Sequence, residues 1–200
     1  MNQKTQNIIY STPNKKNISK EQYLKQIKKI IYTAFQEDPT IILHIDEEIL
    51  EKYATSIVAS DENNIIGNIN IYPTRMKPLD NIYCPINGRI QIGELWSVIV
   101  DKAYRNQNIG KELMQHALDT LHNSYDSIIS ATVNNHMTKI LHAYNFEQIP
   151  FPKEDFEEGK KYLWPKMKWG IEEFIEKAKC FMLFSTDNKA KILEILSQHK

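Results

Sequence analysis

Glu94-Leu95-Trp96-Ser97-Val98-Ile99-Val100-Asp101-Lys102-Ala103-Tyr104-Arg105-Asn106-Gln107-Asn108-Ile109-Gly110-Lys111 reads as a buried strand that runs into a tight polar turn, and the turn opens a helix. Ile90 to Val100 is apolar on both faces, as a central strand covered by helices must be. From about Asn108 to His122, the residues Ile109, Leu113, Met114, Ala117, Leu118 and Leu121 form one apolar stripe at helical spacing. The first amides of a helix have no intrahelical acceptors and carry the positive end of its dipole, so they attract phosphate. Several successive amides in such a turn make an anion nest. Gly110 lets backbone approach a ligand closely, and Asn106 and Asn108 are the non-glycine type that best tolerates left-handed conformations. Neither the dinucleotide fingerprint G-x-G-x-x-G nor the P-loop G-x-x-x-x-G-K is present.

Outward from this stretch, Ile8 to Ser11 reads as a short edge strand. Ser19 with Gln22 makes a capping box, after which Tyr23, Ile27, Ile30, Ile31, Ala34 and Phe35 recur at helical spacing up to Asp38-Pro39. A second helix is expected over Asp46 to Tyr53. Ser56 to Ser60 and Ile65 to Tyr72 read as strands joined by a hairpin at Asp61 to Asn64, and Pro73 to Gly88 as a loop. Beyond the central helix come a strand at Ser127 to Val133, a helix at Asn135 to Tyr144, and strands at Phe146 to Pro152 and Tyr162 to Trp169. Ile171 to Lys179 and Asn188 to Gln198 read as helices. The strand–helix–strand unit in the middle implies a parallel pair with a right-handed crossover.

The 200 residues suffice for one domain with a real core, and 42% hydrophobic with 25% charged residues is the balance of a soluble globular protein. Twenty-five basic and twenty-five acidic residues cancel, which gives no support to nucleic-acid or membrane-surface binding. No apolar run approaches the roughly 20 residues that span a bilayer, and Met1 to Lys16 lacks the apolar core of a secretory signal. Two cysteines, Cys84 and Cys180, make no disulfide framework, so the expected location is cytoplasmic. The histidines His116/His122 and His136/His142 lack the i,i+4 spacing of a helical metal pair, and no metal is expected.

Arg105-x-x-Asn108-x-Gly110 resembles the Arg/Gln-x-x-Gly-x-Gly/Ala pyrophosphate loop of the GNAT N-acetyltransferase superfamily, with Asn108 in place of the first glycine. Leu95-x-x-Val98-x-Val100 looks like that family's central strand, and the element order agrees from about Ser19 to Trp169. The resemblance implies an α/β (α+β) GNAT fold, with a mixed sheet of about six to seven strands and helices on both faces. The acetyltransferase domain would cover 1–169, and 170–200 would be a helical extension packed on it. It implies an acetyl-CoA-dependent N-acetyltransferase acting on a primary amine of a small molecule or protein. The pantetheine arm would pair with Val98, Ile99 and Val100 as an added strand. The pyrophosphate would rest on the amides of Arg105, Asn106, Gln107, Asn108, Ile109, Gly110 and Lys111.

A free alkyl amine has a pKa near 10.4, so a base must take its proton before it attacks. Glu94 corresponds to the general base of the histone-acetyltransferase branch. The family's general acid is a tyrosine in Asn-x-x-Ala-x-x-x-Tyr; here Asn134 matches the asparagine, but Met137 and Leu141 stand at the Ala and Tyr positions. Tyr144 and His142 are the nearby substitutes, and Asn134 is expected to hydrogen-bond pantetheine. Glu37, Asp38, Asp46, Glu47 and Glu48 make the first helical hairpin acidic, which suits a cationic amine or simply a solvated face. Phe181-Met182-Leu183-Phe184 admits a homodimer through the tail, or packing on the chain's own sheet. A catalytically silent acetyl-CoA-binding module is the rival to an active enzyme.

Overall fold

The computed structural model describes residues 7–37, 55–62, 64–74, 83–84, 88–121, 124–132, 134–149, 178–184 and 188–198. The strands are β1 (Ile8–Ser11), β2 (Thr55–Asp61), β3 (Asn64–Pro73), β4 (Tyr83–Cys84), β5 (Gly88–Arg89), β6 (Ile92–Val100), β7 (Ser127–Thr132), β8 (Glu147–Ile149) and β9 (Lys179–Phe184). The helices are α1 (Lys20–Glu37), α2 (Ile109–Leu121), α3 (Asn135–Ala143) and α4 (Lys189–Gln198). Seven strands form a mixed sheet in the order β1-β2-β3-β6-β7-β9-β8, and β4 with β5 forms a separate ribbon. The chain divides into two compact units, Met1–Ile71 with Trp96–Thr120, and Tyr72–Leu95 with Leu121–Lys200. Strand β6 therefore contributes to both.

In the first unit, α1 begins as its capping box predicts: Gln22 N donates to Ser19 Oγ (3.2 Å) and Ser19 N to Gln22 Oε1 (3.3 Å). Tyr23, Ile27, Ile30 and Ile31 then line one helix face and bury against Val58, Ile65 and Ile99. Strands β2 and β3 pair antiparallel, but Ala59 faces Gly67 while Ser60 faces Ile65, so Ile66 is the extra residue of a bulge. The bulge puts Ile65 on the α1 side and Gly67 on the opposite face. A Cβ at Gly67 would stand 2.8 Å from Leu113 Cδ1 and 3.2 Å from the Ile99 carbonyl, so the missing side chain is what lets α2 lie on the strand. Strand β1 adds to β2 at the edge, and its Tyr10 ring stacks on His116 of α2 at 4.8 Å between centroids.

The Tyr23 hydroxyl is buried within this layer, 2.6 Å from Ser56 Oγ and 3.2 Å from Asn68 Oδ1, while Ser56 Oγ donates to Asn70 Oδ1 (2.7 Å). Burial pushes the Tyr23 hydroxyl up to about 12, against a smaller downward pull from its bond with Ser56. The unfolded chain gives up this proton near pH 10 and the folded chain keeps it to about 12. The contribution to stability is therefore complete below pH 10 and is lost as pH rises toward 12. The gap of about two pH units corresponds to roughly 3 kcal/mol. Urea midpoints at pH 9 and pH 11.5 should fall more steeply for the parent than for Tyr23→Phe; parallel falls would refute it.

In the second unit, the start of β6 pairs parallel with β7, Ile92–Glu94 against Ser127–Ile129. Strand β7 continues to Thr132 in antiparallel register with β9, and β9 pairs in turn with β8. Helix α4 lays Ile192 and Leu196 on Ile90, Ile92, Ile129, Ile149, Cys180 and Met182. Phe181 alternates with Cys180 and Met182, so it faces the other way, where His142 of α3 meets it edge-on at 5.2 Å. Each unit is thus a sheet with a helix on either face.

The main correction concerns the tail. The sequence predicts a helical extension over 170–200, yet Lys179–Phe184 is a strand seated between β7 and β8. Phe181 and Met182 are fully buried there, packed within the chain's own sheet. Lys179, read as the end of a helix, is the first residue of β9. Within the stretch read as a loop, Tyr83–Cys84 pairs with Gly88–Arg89. The expected helix at Asp46 to Tyr53, the strand at Tyr162 to Trp169, most of the helix from Ile171 and the acidic residues from Asp38 to Glu48 lie outside the described residues.

Candidate functional site

In the first unit β6 ends at Val100, and three bonds shape the turn beyond it. Asp101 N donates to Ile66 O (2.7 Å), which holds the strand end to β3. The Asp101 carboxylate accepts from Ala103 N (2.9 Å) and caps a 3-10 turn at Lys102–Tyr104. Arg105 Nε donates to Val100 O (3.2 Å), folding its side chain back over the turn. Asn106 and Asn108 then both take left-handed backbone (φ 63° each), and α2 begins at Ile109. Asn108 is thus able to replace a glycine, as its short polar side chain tolerates that conformation.

The amides on this path divide cleanly. Arg105 N donates to Lys102 O (3.3 Å), and Lys111 N and Glu112 N both donate to Asn108 O (2.9 and 3.0 Å). Among the described residues, none supplies an acceptor to the amides of Asn106, Gln107, Asn108, Ile109 or Gly110. Five successive N–H groups are available at the positive end of α2. The backbone amides of Arg105 and Lys111 are already used, so these two residues can reach a ligand only through their exposed side chains. A Cβ at Gly110 would meet only Val100 Cγ2, at 3.8 Å, so the surrounding protein gives no reason for a glycine there.

On β6, the Ile99 side chain is committed to the α1 core, while Val98 and Val100 are half-buried. Successive N–H groups of a strand point to opposite edges. Since Asp101 N points at β3, the Val100 and Val98 amides point away from it. The residues that shape the turn, Asp101 and Tyr104, carry no role in the sequence reading. Asp101 was findable as an Asp directly before a turn; the partner of Tyr104 lies 43 positions away, beyond any local signal.

In the second unit, Glu94 faces Ile129 across the ladder and is 4% exposed. Burial pushes the Cys180 thiol upward, and the negative charge of Glu94 pushes it further. Cys180 is therefore a protonated core residue and no nucleophile at neutral pH. Asn134 is the N-cap of α3: its side-chain oxygen accepts from His136 N (2.8 Å) and Met137 N (3.2 Å), leaving its NH2 as the group that can meet a ligand. Leu141, at the family's acid position, is fully buried. Tyr144 is the half-buried C-cap of α3. Behind it Asn145 takes φ 61°, Asn145 N donates to His142 O (3.1 Å) and Phe146 N to Leu141 O (3.0 Å), a Schellman ending built on Asn instead of Gly. Among the described residues no group of three His, Cys, Asp or Glu is placed to hold a metal ion. No helix among them is long and apolar enough to cross a membrane.

A profile described as the acetyltransferase (GNAT) family matches residues 21–147. No curated protein matches the chain. Among solved structures, a GNAT family acetyltransferase from Brucella melitensis in complex with acetyl-CoA is 15% identical, covering 71% of this chain and 84% of that one at a TM-score of 0.53. An N-acetyltransferase from Staphylococcus aureus Mu50 is 15% identical over 90% of this chain and 99% of its own, at 0.59. The NatC complex bound to Gag peptide and CoA matches at 18% identity, 88% and 95% coverage, and 0.54. At these identities the likeness to solved structures shows the fold.

Proposed function

The chain belongs to the acetyltransferase (GNAT) family, and on that premise we propose that it moves an acetyl group from acetyl-CoA to a primary amine of a small molecule or protein. The observation that carries this reading is the run of five amides from Asn106 to Gly110 with no acceptor among the described residues. Successive N–H groups without acceptors at a helix start suit the charge of a diphosphate. Gly110, which nothing in the surrounding protein requires, suits close approach by such a ligand. The side chains of Arg105 and Lys111 add positive charge, the outward amides of Val98 and Val100 would hold the pantetheine arm, and Asn134 would bond it through its NH2.

Acetyl-CoA, when bound, supplies an acyl group activated as a thioester. The chain's own part is to bind, orient and move protons. Glu94 is the base: its carboxylate takes the proton that the ammonium of the acceptor must lose before it attacks. Tyr144 is the acid that returns a proton to the departing sulfur. The peptide held by NatC is a precedent for a protein acceptor. Two cysteines without a disulfide framework accord with a cytoplasmic place of action.

The burial of Leu141 favours one rival, a family member that binds acetyl-CoA without turnover. Calorimetric titration with acetyl-CoA, together with a coenzyme A release assay over a panel of amines, separates the two. Binding with release supports the enzyme, binding without release on any amine supports the rival, and no binding overturns both.

A further inference from the structure

The turn that presents the five amides is pinned at both ends to the β2–β3 hairpin. At its start Asp101 N is bonded to Ile66 O of β3 (2.7 Å). At its end the Tyr104 hydroxyl donates to Asp61 Oδ2 (2.8 Å), the last residue of β2, whose ladder partner is Asn64. Tyr104 is half-buried and stands directly before Arg105 and the amide run. The next backbone bonds beyond the turn are those of Lys111 and Glu112 to Asn108, inside α2 itself. Tyr104 thus stands at the entrance to the stretch Asn106–Gly110, within which Gln107 Nε2 reaches back to Ala103 O (3.5 Å) and Ile109 is buried.

From this geometry we propose that Tyr104 is a positioning residue for the coenzyme loop, and that Asp61 is its anchor. The inference rests on the reading of that loop as the diphosphate site. Amides that converge on one point repel each other through their aligned dipoles, so an empty nest tends to relax. A hydroxyl bonded to a carboxylate is among the stronger hydrogen bonds. Holding the turn from outside keeps the nest open before ligand arrives, and a ligand's apparent affinity scales with the fraction of protein in the competent state. The anchor acts on the diphosphate end of the cofactor alone, because the pantetheine edge lies on β6, which is held independently by its place in the sheet.

The test uses the full chain and two probes, coenzyme A and pantetheine, which lacks the diphosphate. Tyr104→Phe and Asp61→Ala should each weaken coenzyme A binding about tenfold, the scale of one lost charge-assisted hydrogen bond. Pantetheine binding should be unchanged in both. The double variant should lose less affinity for coenzyme A than the sum of the two single losses, since the Tyr104–Asp61 bond is shared by both. Asp61→Asn, which keeps an acceptor oxygen, should recover most of the affinity, and melting temperatures should report whether each variant is folded. Equal losses for coenzyme A and pantetheine, full additivity in the double variant, or unchanged coenzyme A affinity in Tyr104→Phe would overturn the proposal. Failure of the parent itself to bind coenzyme A would instead refute the reading of the loop on which it rests.

Discussion

Gly110→Leu is expected to leave the protein folded and to weaken coenzyme A binding by about 10- to 100-fold, the worth of one hydrogen bond to a charged group. The reasoning separates two roles that a helix glycine can have. A Cβ at this position meets only Val100 Cγ2, at an ordinary contact distance, so the first atom of a new side chain displaces nothing in the fold. A glycine within a helix costs up to about 1 kcal/mol relative to alanine, so melting should stay level or rise. Gly110 carries the last of the five available amides, so a branched side chain on it crowds the group that would meet the diphosphate. Titration calorimetry and a thermal melt on the same sample check both halves. A variant that binds coenzyme A like its parent would show that the start of α2 is not the site.

Glu94→Gln is expected to act on the opposite quantity. Affinity for acetyl-CoA should hold, while turnover should drop by about 10²- to 10⁴-fold, the usual worth of a positioned base. Gln keeps the shape of the side chain and one acceptor oxygen, and cannot take a proton. Glu94 is 4% exposed and faces Ile129 across the ladder, and Gln has nearly the same volume, so the packing around it should hold. Steady-state rates at saturating acetyl-CoA over a range of amine concentrations give the answer. Parental turnover in this variant would remove Glu94 from the chemistry while leaving the coenzyme site untouched.

The strand–turn–helix around Val100 was legible because its signals are local: an unbroken apolar run, then Asn and Gly at the left-handed and close-approach positions, then a 3.6-residue stripe. The Ser19–Gln22 box was legible for the same reason, its two bonds lying three residues apart. Which amides stay available was not legible. That Arg105 and Lys111 use theirs internally is a product of the 3-10 turn and the first turn of α2, and these depend on Asp101 choosing Ala103 as partner. Nor could the sequence say that Leu141 is core, since helical position alone does not tell which side the sheet lies on. Strand β9 escaped for a different reason. Cys180 to Phe184 is apolar at every position, so it shows neither strand nor helix period, and its partners in β7 lie about fifty residues back.

That last strand also dictates an order of assembly. Because β9 separates β7 from β8, neither of those earlier strands can complete its ladder until the chain has been synthesised through Phe184. On the ribosome, this half of the sheet must wait with β7 and β8 offering bare backbone edges, a hazard for nascent aggregation. A chain cut at Gly170 would never leave that condition, so any self-association it displayed would report an interrupted ladder and not a native partner surface.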